Sequence, residues 1–387
     1  MASKHVPLEQ VLAGVVEPEL GLPLGAIGMI RGVGVRRHKA SVVLALPTAA
    51  WPGQAELVDL VRVHALGTPG IEEVSIEASV MDEDERTVLR RRLRADMGGD
   101  EGPVDDHAGH GGGHAHGPAA STPAFLLPGS STRVIGISSG KGGVGKSSVT
   151  VNLAVALARA GHHVGILDAD VYGFSVPKML GADRDPVVLG DLVVPTIAHG
   201  VRCLSMGFFV PDDQPVIWRG PMLHKAIEQF LADAYWGVPD FLLVDMPPGT
   251  GDVALSLAQI MPRAEMVVVT TPQPAAQRVA QRSAFAARKL KLSVRGVIEN
   301  MSWFTGDDGT RYELFGAGGG ALLAKELAVP LLGSVPLVPA LRQGGDDGRP
   351  VVIADPGGEA AAVFAGLADR LVGLGPARVY RRELALS

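Results

Sequence analysis

The sequence has 387 residues with 35 basic and 41 acidic side chains, a net charge of −6 that offers no footprint for nucleic acid. Hydrophobic residues make up 47% of it, yet no apolar run is long enough for a membrane span, and Glu9, Glu17 and Glu19 interrupt the start where a signal peptide needs an apolar core. One cysteine, Cys203, excludes a disulfide framework and any intrachain thiolate cluster, so a cytoplasmic protein is the default expectation.

A chain of this length predicts two domains. Residues 6–97 read as a small α+β domain. A short helix over 8–16 ends at Glu17-Pro18-Glu19, a strand follows over 40–46, helical spacing covers 55–66, and 74–80 alternates as a half-buried strand. Two helices over a small sheet is the packing these elements predict, and their Asp, Glu and His side chains form no catalytic constellation. Between 98 and 131 glycine, proline, alanine and acidic residues dominate, which predicts a flexible linker. Its His107, His110, His114 and His116 could collect a metal, but a solvated linker explains them as well.

From 132 to 374 strands and helices alternate, which predicts a doubly wound, mostly parallel α/β sheet. The strands are expected over 134–137, 164–167, 241–244, 266–271 and 294–300, with helices over 275–290 and 359–371; residues 375–387 form a tail. Ligands in such sheets sit beyond the carboxyl ends of the strands, where the polar clusters of this segment fall.

The first strand leads into Gly140, Lys141, Gly142, Gly143, Val144, Gly145, Lys146, Ser147 and Ser148, after which apolar residues recur at helical spacing. Strand, glycine loop and helix is the context in which G-x-x-x-x-G-K-[ST] cradles phosphates. Backbone N–H groups and the helix N-terminus face the anion, Lys146 is expected at the β- and γ-phosphates, and Ser147 is expected to offer a hydroxyl to Mg²⁺. Asp245 ends an apolar strand, a position from which a carboxylate supports the same ion. Asp168 and Asp170 close another strand; they read either as turn aspartates or as a metal-shell residue and a water-positioning residue, respectively. Asn300 ends a late strand, where an amide can read the adenine edge. Lys141 sits on the outer side of the loop, as a surface lysine or as a cation that completes a phosphate site across a dimer interface.

These residues together resemble one family. Lys141 with Lys146, Leu167-Asp168-Ala169-Asp170-Val171-Tyr172-Gly173, Trp218-Arg219-Gly220-Pro221-Met222, Pro247-Pro248-Gly249-Thr250-Gly251-Asp252 and Glu299-Asn300-Met301-Ser302 are similar to motifs of the Mrp/ApbC iron–sulfur cluster carrier ATPases. That family belongs to the deviant Walker A group, with MinD and the nitrogenase iron protein as cousins. Residues 6–97 resemble the iron–sulfur assembly domain often fused in front. The resemblance implies slow, Mg²⁺-dependent ATP hydrolysis by a homodimer, with Lys141 acting in trans. It also implies a [4Fe-4S] cluster shared between subunits and passed to apoprotein clients or assembly partners. No nucleic acid or membrane partner is expected, because the net charge offers no basic surface and the tail over 378–384 is too short and weak for a membrane-binding helix. The chain departs from the family at the cargo site. The usual Cys-x-x-Cys beyond Asn-Met-Ser is replaced within 303–310, and the small domain's cysteine is replaced by Trp51 before Pro52. A nucleotide-gated switch or scaffold that carries no cluster is therefore the alternative expectation.

Overall fold

The computed structural model describes residues 7–98, 125, 127, 129–171, 173–209, 220–249 and 252–376. The histidines at 107, 110, 114 and 116, the motif residues Tyr172, Trp218, Arg219, Thr250 and Gly251, and the tail from 377 lie outside the described residues, as does the side chain of Asp252.

In chain order the first elements are α1 (Leu8–Ala13), α2 (Leu24–Ile27), β1 (Ile30–Arg36), β2 (Lys39–Leu46), α3 (Gln54–Leu66), β3 (Glu73–Val80) and α4 (Glu83–Asp96). Then come β4 (Arg133–Ser139), α5 (Lys146–Arg159), β5 (Val164–Asp168), α6 (Val176–Leu180), β6 (Val187–Leu189), β7 (Leu192–Val194), β8 (Thr196–Ala198) and β9 (Val201–Ser205). They are followed by α7 (Gly220–Ala232), β10 (Phe241–Asp245), α8 (Asp252–Ile260), β11 (Glu265–Thr270), α9 (Pro274–Lys289) and β12 (Ser293–Glu299). The last are β13 (Phe304–Thr305), β14 (Arg311–Tyr312), α10 (Gly319–Glu326), β15 (Leu331–Ser334), α11 (Pro339–Asp346), α12 (Val351–Ala354) and α13 (Glu359–Gly373).

The chain divides into two compact units, the first comprising Met1–Ala124, Pro186–Val194 and Asp233–Gly237. Its sheet has the order β1-β2-β3, with β1 antiparallel and β3 parallel to the central strand. Three elements before residue 98 go beyond the expected two helices and two strands: the four-residue α2, β1 and α4. β1 is half-exposed and interrupted by Gly32 and Gly34, so it lacks a clean alternation. α4 is dense in charge and buries only Leu89 and Leu93, while its start is fixed by a capping box between Asp82 and Glu85. The β6–β7 hairpin adds Leu189, Leu192 and Val194 to this unit's core. Trp51 is buried in that core, and its indole N–H donates to Glu17 Oε1 at 2.8 Å. Burial raises the Glu17 carboxyl above its usual range, against the opposing pull of the Trp51 hydrogen bond.

The second unit is built on an eight-stranded sheet in the order β15-β12-β11-β4-β10-β5-β9-β8. Its neighbours pair in parallel except for β8, which runs antiparallel to β9. β4, β5, β10 and β11 are buried along their whole length, which is why they read as unbroken apolar runs. Successive residues feed opposite cores. Val267 and Val269 join the cluster that includes α5 and α13, while Val268 joins the one under α9 and α10. Helices therefore cover both faces, and the carboxyl ends of β4, β5 and β10 converge at one edge.

Candidate nucleotide site

The loop after β4 is shaped by what surrounds each glycine. A Cβ on Gly140 would lie 2.2 Å from the backbone nitrogen of Ala280, so the loop is pressed directly against α9. Gly145 has φ +80°, and a Cβ there would meet Asn300 Nδ2 at 2.2 Å. Nothing lies within 4 Å of a Cβ at Gly142 or Gly143, which face open space where a phosphate can approach the backbone. Val144 is buried and pins the loop from below. α5 opens at Lys146, so its first N–H groups and its positive dipole end point at that space.

Under the loop lies a buried cluster of charge. The Lys146 ammonium donates to Asp245 Oδ2 at 2.5 Å and stands 3.8 Å from Asp170 Oδ2. Ser147 Oγ also donates to Asp245 Oδ2, and Thr150 Oγ1 donates to Asp245 Oδ1, each at 2.6 Å. Asp245 is wholly buried, and these three donors satisfy its carboxyl oxygens. Thr150 was not among the sequence candidates. The signal that could have found it is its place four residues after Lys146, one turn on along the same helix face.

Asp168 ends β5, and the sheet register sets it beside Asp245 on β10. Its Oδ1 accepts from the N–H of Asp170 at 3.2 Å, and its Oδ2 accepts from the N–H of Val176 at 3.3 Å and from Ser205 Oγ at 3.1 Å. Asp168 thus ties both ends of the 170–176 loop to the sheet. Burial first, and the Asp245 charge second, push its carboxyl from 3.8 up to about 7. Asp170 lies 8% exposed at the mouth of this cluster.

Two candidates stand on the other side of the loop. The Asn300 amide donates to the Val144 carbonyl at 2.9 Å, so part of its capacity braces the loop; its Oδ1 is buried without a hydrogen-bond partner. The Lys141 ammonium donates to Gln273 Oε1 at 3.3 Å, away from the acidic cluster. The structure thus brings Lys146, Ser147, Asp168, Asp170 and Asp245 together and holds Lys141 and Asn300 on the β11–β12 flank.

Cargo chemistry is a different matter. Cys203 lies on β9 in the main core, fully buried, where burial first and the Asp168 charge second raise its thiol well above the usual value. Among the described residues no three His, Cys, Asp or Glu side chains converge to hold a metal ion. In the stretch beyond Ser302, β13 and β14 form a hairpin whose turn is closed by its own bonds. Gly306 N–H donates to Thr310 O at 2.9 Å, and Thr310 donates from its N–H and its hydroxyl to Asp308.

A phosphate loop at the end of a central parallel strand, with a lysine, hydroxyls and carboxylates converging beneath it, defines a P-loop nucleotide-binding protein. Comparison with known proteins narrows the class. The model of the NUBPL iron-transfer P-loop NTPases matches residues 130–372, and that of iron–sulfur cluster assembly proteins matches residues 7–78. The chain belongs to the iron-transfer P-loop NTPase family. A Mycobacterium tuberculosis protein named iron–sulfur cluster carrier protein is 42% identical over 381 residues, covering 96% of this chain and 94% of its own. One of the same name from Synechocystis is 39% identical, with 94% and 95% covered. An Archaeoglobus fulgidus nucleotide-binding protein in complex with ADP superposes with a TM-score of 0.51 at 33% identity, covering 60% of this chain and 91% of that one. No helix among the described residues is long and apolar enough to cross a membrane.

Proposed function

We propose that this chain is an ATP-hydrolysing carrier protein of iron–sulfur cluster assembly, acting in the cytoplasm as a homodimer through an assembly-like domain over 6–97 and an ATPase domain over 132–374. The observation that carries the reading is the Lys146–Asp245 pair beneath the glycine loop. A buried ammonium compensated by a buried carboxylate is ready to turn to phosphate charge that arrives above it.

The backbone of 140–148 wraps the phosphates, and Lys146 neutralises the β- and γ-phosphate oxygens. The hard oxygen donors on Ser147 and Asp245 fit Mg²⁺, which favours one or two protein ligands together with nucleotide phosphates; when bound it spreads the phosphate charge. Asp168 holds the 170–176 loop and the outer shell of that ion. Asp170 accepts the proton of the attacking water and orients it. Asn300 offers its free Oδ1 to the amino edge of adenine. Lys141 serves the partner subunit's nucleotide. Turnover is slow in the separate subunit, because that cation rests on Gln273 instead of at a phosphate.

The cluster is cargo. A thiolate-bound cluster does not fit this chain's own residues, since Cys203 is its single cysteine and is sealed in the core. Thiolates of a client or of an assembly partner complete the ligation. The same observation favours a second reading, in which the protein is a nucleotide-gated scaffold that holds no cluster at all. Anaerobic transfer to an apoprotein separates the two. The carrier reading expects ATP-dependent acceleration of cluster delivery that is lost in Lys146→Ala. Delivery at the same rate with wild type, with Lys146→Ala and with neither protein present would overturn it in favour of the scaffold.

A further inference from the structure

The inference concerns Gln273 and rests on the role of Lys141 given above. Lys141 is the one lysine of the phosphate loop that makes no contact with the acidic cluster; its ammonium donates to Gln273 Oε1 at 3.3 Å. Both partners sit on elements fixed to each other. Gly140, the residue before Lys141, is jammed against the backbone of Val279 and Ala280 on α9. Gln273 is the N-cap residue of that helix, with φ −63° and ψ 132°. Prolines at 272 and 274 flank it, so its own backbone is confined to the extended region and its neighbours' φ angles are locked. Pro272 is in turn clamped from outside, because a Cβ on Gly319 would lie 2.3 Å from its carbonyl oxygen. The Gln273 carbonyl accepts from the N–H groups of Ala276 and Gln277, completing the anchor.

We infer that Gln273 is a positioning residue for Lys141: its amide oxygen holds the ammonium on the outer rim of the loop, away from Asp170 and Asp245, and releases it to a partner subunit's nucleotide. The chemistry of the holder suits that task. A free ammonium one loop away from two carboxylates is drawn into them, where it would compete with Lys146. A carboxylate in place of Gln273 would hold it too firmly, through full ionic attraction as well as a hydrogen bond. A neutral amide oxygen supplies one hydrogen bond and no net charge, so the phosphate charge of a bound nucleotide outbids it. The partly buried setting keeps that single bond from being diluted by water.

The test uses the full-length chain and separates this inference from the role of Lys141 itself. Steady-state ATP hydrolysis is measured for wild type, Gln273→Glu, Lys141→Ala and the double variant. Acylation of lysines in nucleotide-free protein is followed by peptide mapping, with exposed Lys289 as the reference amine. Gln273→Glu is expected to lower kcat about tenfold with KM for ATP unchanged, and higher ionic strength should return part of the loss. Gln273→Ala should lower acylation of Lys141 about threefold relative to Lys289, because the released ammonium is drawn to the buried carboxylates, a readout that a purely structural role of Gln273 would not single out. In the Lys141→Ala background the Glu substitution should change neither nucleotide affinity nor residual turnover. If Gln273→Glu turns over like wild type, or if its effect persists undiminished without Lys141, the positioning role is overturned while a loss in Lys141→Ala leaves that lysine's own role standing. If Lys141→Ala itself turns over normally, the role of Lys141 fails, and this inference with it.

Discussion

Replacing Asp168 with asparagine should remove a specific pH dependence from the stability of the second unit. In the folded chain the Asp168 carboxyl is wholly buried beside Asp245, and burial raises it from 3.8 to about 7. Between those values the folded protein keeps a proton that the unfolded chain has already lost. Linkage then requires stability to fall as pH rises through this window and to level off above it. About three pH units at about 1.4 kcal/mol each give a total near 4 kcal/mol, of which about 2 kcal/mol falls between pH 5 and pH 7, where the slope tapers as the folded carboxyl begins to ionise. The asparagine keeps the shape and one acceptor but cannot titrate. Its amide N–H₂ facing Val176 N–H costs some stability, and that cost is independent of pH, so the slope is the informative quantity. Urea unfolding of the nucleotide-free, Mg²⁺-free full-length chain from pH 5 to pH 8, in wild type and Asp168→Asn, measures it. The wild-type curve should drop relative to the variant by roughly the stated amount. Parallel curves would refute the reasoning, because they would mean that Asp168 stays ionised and that the pair's charge is compensated by Lys146 alone.

Mixing Lys141→Ala with Lys146→Ala should restore ATP turnover in heterodimers, since one subunit keeps an intact phosphate site and the other an intact Lys141; confirmed subunit exchange without activity at any ratio would rule out action in trans. Asp170→Ala should bind Mg-ATP at near wild-type affinity and lose hydrolysis by about a hundredfold or more, as expected for a group acting on the attacking water; a parallel fall in affinity by equilibrium titration would make it a binding residue. Thr150→Val preserves side-chain shape but leaves Asp245 Oδ1 without its 2.6 Å donor. It should cost about 2 kcal/mol of stability by urea unfolding, with Thr150→Ser close to wild type. A valine variant as stable as wild type would show that Asp245 finds another donor.

What the sequence determined by itself was the local chemistry. The phosphate loop was legible because its meaning lies within one strand, one turn and one helix start, and in the structure Gly140 follows β4, Gly145 caps α5, and Lys146 and Ser147 open that helix. The parallel sheet was legible because strands buried on both faces read as apolar runs ending in polar residues. β1 and α4 escaped the reading, since glycines and charge mask the period of elements that bury only a narrow stripe. Tertiary structure decided the rest. Asp168 and Asp245 are 77 positions apart in sequence and become neighbours only because β10 inserts between β4 and β5. That adjacency, with burial, is what moves a carboxyl toward neutrality. Thr150 and Gln273 are ordinary residues of ordinary helices until α5 and α9 are set against the loop. A motif is written in residues adjacent along the chain, whereas burial, charge coupling and hydrogen-bond partners depend on which distant segments the fold packs together.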